Sequence, residues 1–140
     1  MNSRTVRIVL FLFFVGVLFT SCNNEDKVFT LKTIKLQAYL NRDLVEQNVY
    51  FKVVDQNDST SILGTTDTYP SKITFPAVFG VKPFVNSKLY QNSYIIQLWG
   101  ETTGLIGSCQ VEMSQYKIIF PLEMEVENDE MTITIAGSWH

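Results

Sequence analysis

Reactive side chains are scarce in this chain: among 140 residues there are two cysteines, Cys22 and Cys109, and one histidine, His140. A cysteine works as a nucleophile when a nearby base or charge favours its thiolate, and no histidine lies near Cys109 in the sequence. Cys109 sits instead in the run Leu105 to Met113, where Leu105, Cys109, Val111 and Met113 share one parity, and it reads as buried and inert. Cys22 has a different setting. Arg4 and Arg7 form a basic start, Ile8 to Phe19 is an uncharged apolar run, and the small residues Thr20 and Ser21 come just before the thiol. That order is a signal peptide. Its apolar run is about a dozen residues, short of the roughly 20 that a membrane-spanning helix needs, so it engages a translocon without serving as an anchor. A thiol at the first mature position can carry a diacylglycerol thioether, which makes Cys22 the expected lipidation site.

Phe19-Thr20-Ser21-Cys22 resembles the lipobox of bacterial lipoproteins, with Phe19 where that pattern prefers leucine. The resemblance implies that residues 1–21 are removed and that the mature chain is held to a membrane by lipid outside the cytoplasm. Residues 22–30 then comprise the lipidated cysteine and a tether, whose start, Asn23-Asn24-Glu25-Asp26-Lys27, is too polar and too short to pack. Asn23 is not the aspartate that retains lipoproteins of Gram-negative bacteria in the inner membrane, which implies the outer membrane. Glu25-Asp26 resembles the acidic surface-export tract of Bacteroidetes lipoproteins, and both the periplasmic and the cell-surface face stay open.

Cleavage would leave 119 residues and remove Arg4 and Arg7 but none of the 14 acidic groups, taking the net charge from −3 to −5. That length suits one domain with one core, here residues 31–140. The acidic balance, and basic residues that form no stripe, argue against nucleic acid as a partner. With Cys22 acylated, Cys109 has no partner for an internal disulfide, so the fold must rely on its core.

The elements that position any site read as strands. Ile34, Leu36, Ala38 and Leu40 alternate with Lys35 and Gln37; Val49, Phe51 and Val53 alternate with Tyr50, Lys52 and Val54. A polar turn, Asp55 to Ser59, leads into Ser61 to Thr65. Ile73 to Phe79 is extended, with Pro76 marking an edge or bulge, and the stretch from there to Asn92 reads as a long loop. Tyr94, Ile96 and Leu98 alternate with Ile95, Gln97 and Trp99, and a turn from Gly100 to Gly104 joins them to Leu105 to Met113. Lys117 to Phe120 and Glu130 to Ala136 complete eight strands, the last with Met131, Ile133 and Ile135 inward and Thr132 and Thr134 outward. Leu44-Val45-Glu46 has room for one helical turn. The acidic run Glu123, Glu125, Glu127, Asp129 and Glu130 alternates with Met124 and Val126 as a strand with a solvated face does, and residues two apart on a strand diverge rather than enclose a cation. The expected fold is all-β: an antiparallel eight-stranded sandwich, C2-like or immunoglobulin-like.

Tyr94 to Gly107 resembles the strand, loop and strand of a C2 domain, and Asn48 to Val54 resembles another stretch of that family. The resemblance implies a sandwich with binding loops at one end, and it places Asn48, Glu101, Thr102 and Asp43 among those loops, with Trp99 beside them. Calcium-binding members carry several loop aspartates, because Ca²⁺ needs about six to eight oxygens. Here Asn48, Gly100 and Thr102 stand at such positions, so no metal site is expected. No paired-acid, nucleotide-loop or His/Cys metal motif is present, so no enzyme and no cofactor are expected. Trp99, Tyr90, Tyr94 and Trp139 offer flat faces for a sugar ring or a protein hot spot. The expectation is a lipid-anchored, non-catalytic binding module whose partner is another protein or a surface polysaccharide, with a calcium-dependent lipid-binding or adhesion module and a hydrolase without a recognisable motif as alternatives.

Overall fold

The computed structural model describes residues 27–40, 42–43, 45–89, 93–116 and 122–140. They form β1 (Val28–Tyr39), β2 (Asn48–Asp55), β3 (Ile62–Thr66), β4 (Tyr69–Pro70), β5 (Ala77–Lys88), β6 (Ser93–Gly100), β7 (Gly104–Glu112), β8 (Glu123–Glu127) and β9 (Met131–Trp139), with a single 3₁₀ turn at Met113–Tyr116. Every pairing is antiparallel. The strands follow one another as β7-β6-β2-β3-β5-β1-β9-β8, with the short β4 also on β2. The all-β expectation therefore holds, in a sandwich-like body whose two faces belong to one sheet curled into a nearly closed barrel.

Period-two patterning explains which side of each strand is dry. Val49, Phe51 and Val53 of β2, Tyr94, Ile96 and Leu98 of β6, Cys109, Val111 and Met113 along β7 and its 3₁₀ extension, and Met131, Ile133 and Ile135 of β9 all point into one core. Phe51, Phe79 and Tyr69 meet edge to face, with centroids 5.0 and 4.8 Å apart. Val54, on the outward parity, is also buried, at a register shift between β2 and β3.

Three local readings of the sequence are corrected. The dry alternation of β1 begins earlier than Ile34, with Phe29 and Leu31 fully buried, and it stops at Leu36, because a register shift against β9 turns Ala38 and Leu40 out to solvent. The first strand therefore already begins at Val28. From Gly80 to Lys88 the stretch after Phe79 is not a loop: it is the long second part of β5, in which Val81, Val85 and Ser87 face inward, with Leu89 buried just past its end, while residues 90–92 lie outside the described residues. Its Gly80 and Pro83 look like breakers, yet Gly80 lies on the exposed face and Pro83 sits where the strand changes partners. Ala77 to Gly80 and Val85 to Lys88 pair with β1, whereas Val81 and Lys82 pair with β3. Pro83 is needed in neither ladder, so its missing N–H costs nothing there. Finally, Leu105 is 51% exposed although it shares parity with Cys109, because a register shift opposite Trp99 rotates it out. The expected strand Lys117 to Phe120 lies outside the described residues.

At the seam, β7 and β8 are the two ends of the strand order, and side chains bridge β7 to the turn between β8 and β9. The Ser108 amide donates to Glu130 Oε2 at 2.8 Å, and Asn128 Nδ2 donates to the Ser108 carbonyl. Asn128 Oδ1 also accepts the amides of Glu130 and Met131, so one side chain both shapes the turn and fastens it to β7. At the other side of the body, β9 lies so close to β1 that a Cβ on Gly137 would fall 2.0 Å from the Thr30 carbonyl oxygen.

Gly137→Ala should therefore destabilise the fold by about 1–3 kcal/mol, as overpacking does, read as a lowered midpoint in urea. Burial raises the pKa of Tyr39, Tyr94 and Tyr116, and pushes the Cys109 thiol up to about 11, the Glu130 charge adding to it. These groups hold their protons more tightly folded than unfolded, so their contribution to stability is fully present below about pH 9 and stability should fall as pH rises above it. Alkaline melting curves test this, and native Cys109 should resist alkylation at pH 8 until the chain is unfolded.

Candidate functional site

A concavity lies at the end of the body where β1 finishes. Its floor and walls come from three segments: Tyr39 and Leu40 from β1, Val45 and Gln47 ahead of β2, and Thr103, Leu105 and Ile106 from the turn into β7, with Glu130 at the seam. The cleft has a volume of about 460 Å³. Leu40 and Leu105 are 54% and 51% exposed at its mouth, a pair of large apolar side chains left facing water.

Gln47 builds one wall. Its Oε1 accepts the amides of Thr102 and Thr103 at 3.1 and 3.0 Å, and its Nε2 donates to Thr103 Oγ1 at 2.9 Å. Gly100 permits this approach, since a Cβ there would lie 2.2 Å from Gln47 Oε1. Gly104, at φ 79°, supplies the left-handed residue that closes the turn. Arg42 braces the segment behind Tyr39: its Nε donates to the Ser71 carbonyl at 2.8 Å, a second guanidinium nitrogen donates to the Ile73 carbonyl, and the group lies 4.0 Å over the Phe75 ring. Phe75 in turn meets Tyr39 edge on, with centroids 6.0 Å apart. The Tyr39 hydroxyl is buried without a partner in bonding geometry. Burial raises its pKa, Arg42 and Ser71 draw it back, and Asp43 adds to the rise.

A second, shallower depression of about 380 Å³ shares Tyr39, Leu40 and Glu130 with the cleft and continues past Ala38, Asp129 and Thr132. Among the described residues no basic side chain lines either hollow, while Asp129 and Glu130 line the second. The end of the body is thus an apolar trough with an acidic border.

The structure brings Asn48 and Glu101 together: Asn48 Nδ2 donates to Glu101 Oε2 at 3.0 Å, and the Glu101 amide donates to the Asn48 carbonyl at 3.0 Å. Thr102 is exposed next to them, its amide held by Gln47. Asp43 is exposed beyond Arg42. Trp99 does not join the loops. It lies half-buried on the outer face of β6, donating Nε1 to Gln97 Oε1 at 3.0 Å, with Lys52 Nζ 3.8 Å above its ring. Of the other aromatics singled out from the sequence, Tyr94 is buried in the core, Trp139 is half-buried against Phe29, and Tyr90 lies outside the described residues, as does Cys22. Among the described residues, no three His, Cys, Asp or Glu side chains gather closely enough to hold a metal ion. Gln47, Leu40 and Leu105 were not legible as site residues. Gln47 is one polar residue before a strand, and the two leucines fit the dry parity of their strands until register shifts turn them out.

No protein-family model matches this chain, and comparison with curated proteins returns no relative. Among the described residues, no helix is long and apolar enough to cross a membrane.

Gln47→Ala should speed hydrogen exchange at the Thr102 and Thr103 amides and cost about 1–2 kcal/mol through the lost hydrogen bonds, while exchange in the β1 and β9 core stays slow. With Glu101 engaged by Asn48, Ca²⁺ in place of EGTA should leave the melting temperature unchanged.

Proposed function

We propose that this chain is a lipid-anchored extracytoplasmic protein of the outer membrane, cleaved before Cys22, whose β body is a non-catalytic binding module. The observation that carries the reading is the position of the trough relative to the tether. Residue 27 enters at the start of β1, where the Lys27 carbonyl accepts the Leu89 amide, and the trough lies at the far end of the same 12-residue strand. At about 3.3 Å per residue that separation is roughly 35 Å. A chain tethered at Cys22 therefore presents Leu40 and Leu105 away from the bilayer, where a partner can reach them.

Exposed leucines beside Asp129 and Glu130 suit a polypeptide with an apolar segment flanked by basic residues. Catalysis has less support. Among the described residues Glu130 is the one carboxylate lining the cleft, and it already accepts the Ser108 amide, whereas glycoside hydrolysis calls for two carboxyls flanking the bond to be cut.

Two measurements test the proposal. Cys22→Ser should release the protein from membranes into the soluble fraction, and continued membrane retention would refute the lipid anchor. Crosslinking of the native protein in whole cells should capture a defined partner that Leu40→Asp and Leu105→Asp both abolish without lowering the melting temperature. Capture unchanged by both substitutions would remove the trough from the reading.

A further inference from the structure

A row of large side chains crosses the outer face of the sheet beside the trough. Tyr50 of β2 stands opposite Trp99 of β6, and Trp99 stands opposite Leu105 of β7. Residues directly opposite one another on neighbouring strands share a face. The exposed Leu105 therefore belongs both to this row and to the mouth of the trough. Lys52 starts from the next row along β2 and reaches back over this one: its Nζ lies 3.8 Å from the Trp99 ring centre and 5.7 Å from that of Tyr50. Beyond Leu105 the row meets the seam, where the Glu130 side chain lies against Gly107 and the exposed Asp129 stands next to it.

This strip carries a cation at one end, acids at the other and Leu105 between them. Lys35, Lys72 and Lys82 each face a carboxylate of their own chain. Among the described residues no carboxylate pairs with Lys52, and no cation pairs with Asp129 or Glu130. Within one copy these charges stay apart. Lys52 stands over β6, and the acids lie across β7 and the seam, at least two strand spacings away, or about 10 Å.

A two-fold rotation reverses the order of the strip. With the axis parallel to the strands and passing beside Leu105, a second copy sets its acids against Lys52 and its Lys52 against Asp129 and Glu130, while Leu105 meets Leu105. Such reciprocal matching defines an isologous interface. The rotation preserves strand direction, so both chains enter β1 from the same side, as two copies tethered to one bilayer must. We propose that the partner of the trough is a second copy of this chain, joined face to face along the strip from Lys52 to Asp129. This rests on the binding role proposed for the trough and names its occupant. The strip measures about 20 Å by 10 Å from strand spacing and rise, short of the roughly 800 Å² per partner buried in a stable soluble dimer. Anchoring both copies in one membrane raises their effective concentration and makes up the difference.

Cysteine crosslinking of the full-length chain in intact cells, with copper phenanthroline as oxidant, tests the pairing. Leu105→Cys, beside the axis, should give a disulfide-linked homodimer on non-reducing gels, whereas Val78→Cys, at an equally exposed position on β5, should stay monomeric. In the Leu105→Cys background, Lys52→Glu should remove the homodimer, and so should Asp129→Lys, since each sets like charges together twice. Coexpressing these two charge variants with different tags should restore a mixed dimer, because both contacts are then attractive, and that rescue excludes misfolding as the cause of either loss. A homodimer no more abundant than with Val78→Cys, a homodimer indifferent to Lys52→Glu, or absence of the mixed dimer would each overturn the proposal. Crosslinking of Leu105→Cys to a different protein, lost with Leu40→Asp, would also overturn it while leaving the trough as a binding site.

Discussion

Closure of the seam is the constraint on which the rest of this body depends. A flat sheet of these strands would leave the faces of β2, β6 and β7 and those of β1, β5 and β9 without cover. Curling brings the two sets into one core, and it holds only if the ends of the sheet stay together. Natural barrels usually close with a continuous ladder. Here Glu130 accepts the amide of Ser108 and Asn128 donates to its carbonyl, joining the β8–β9 turn to β7 through two side chains. Gly107 keeps the approach close, since a Cβ there would lie 3.1 Å from the Glu130 side chain.

The same arrangement protects the edges. An open strand end invites pairing with another chain, and plugging Ser108 removes one docking point on β7 while the alternating glutamates of β8 make that edge acidic. It also shapes the trough, because Glu130 stands at once in the seam and in the cleft wall.

Concave surface arises where a ladder loses regularity. The trough forms where β1 slips against β9 and β7 slips against β6, turning Leu40 and Leu105 outward. A smaller hollow lined by Leu63, Val85 and Tyr94 forms where β5 leaves β1 between Gly80 and Val85 and pairs with β3 instead. Gly64 makes that exchange possible, as a Cβ there would meet the Pro83 carbonyl oxygen at 2.8 Å. Irregular pairing thus generates the concave surface that regular strands do not.

The sequence alone determined the class of fold and most of its core. Alternation in β2, β6, β7 and β9 identifies inward residues directly, because strand side chains repeat with a period of two whatever they pack against. It also predicted the hairpin of β6 and β7 and the inert setting of Cys109, which is 2% exposed. Tertiary structure decided what periodicity cannot encode: the register shifts that expose Leu40 and Leu105, the partner exchange that lets a strand run through Gly80 and Pro83, and the grip of Gln47 on a turn 55 residues away. A register shift is settled by the neighbouring strand, and a polar contact between distant segments exists only once the sheet has curled, so neither leaves a local mark in the chain.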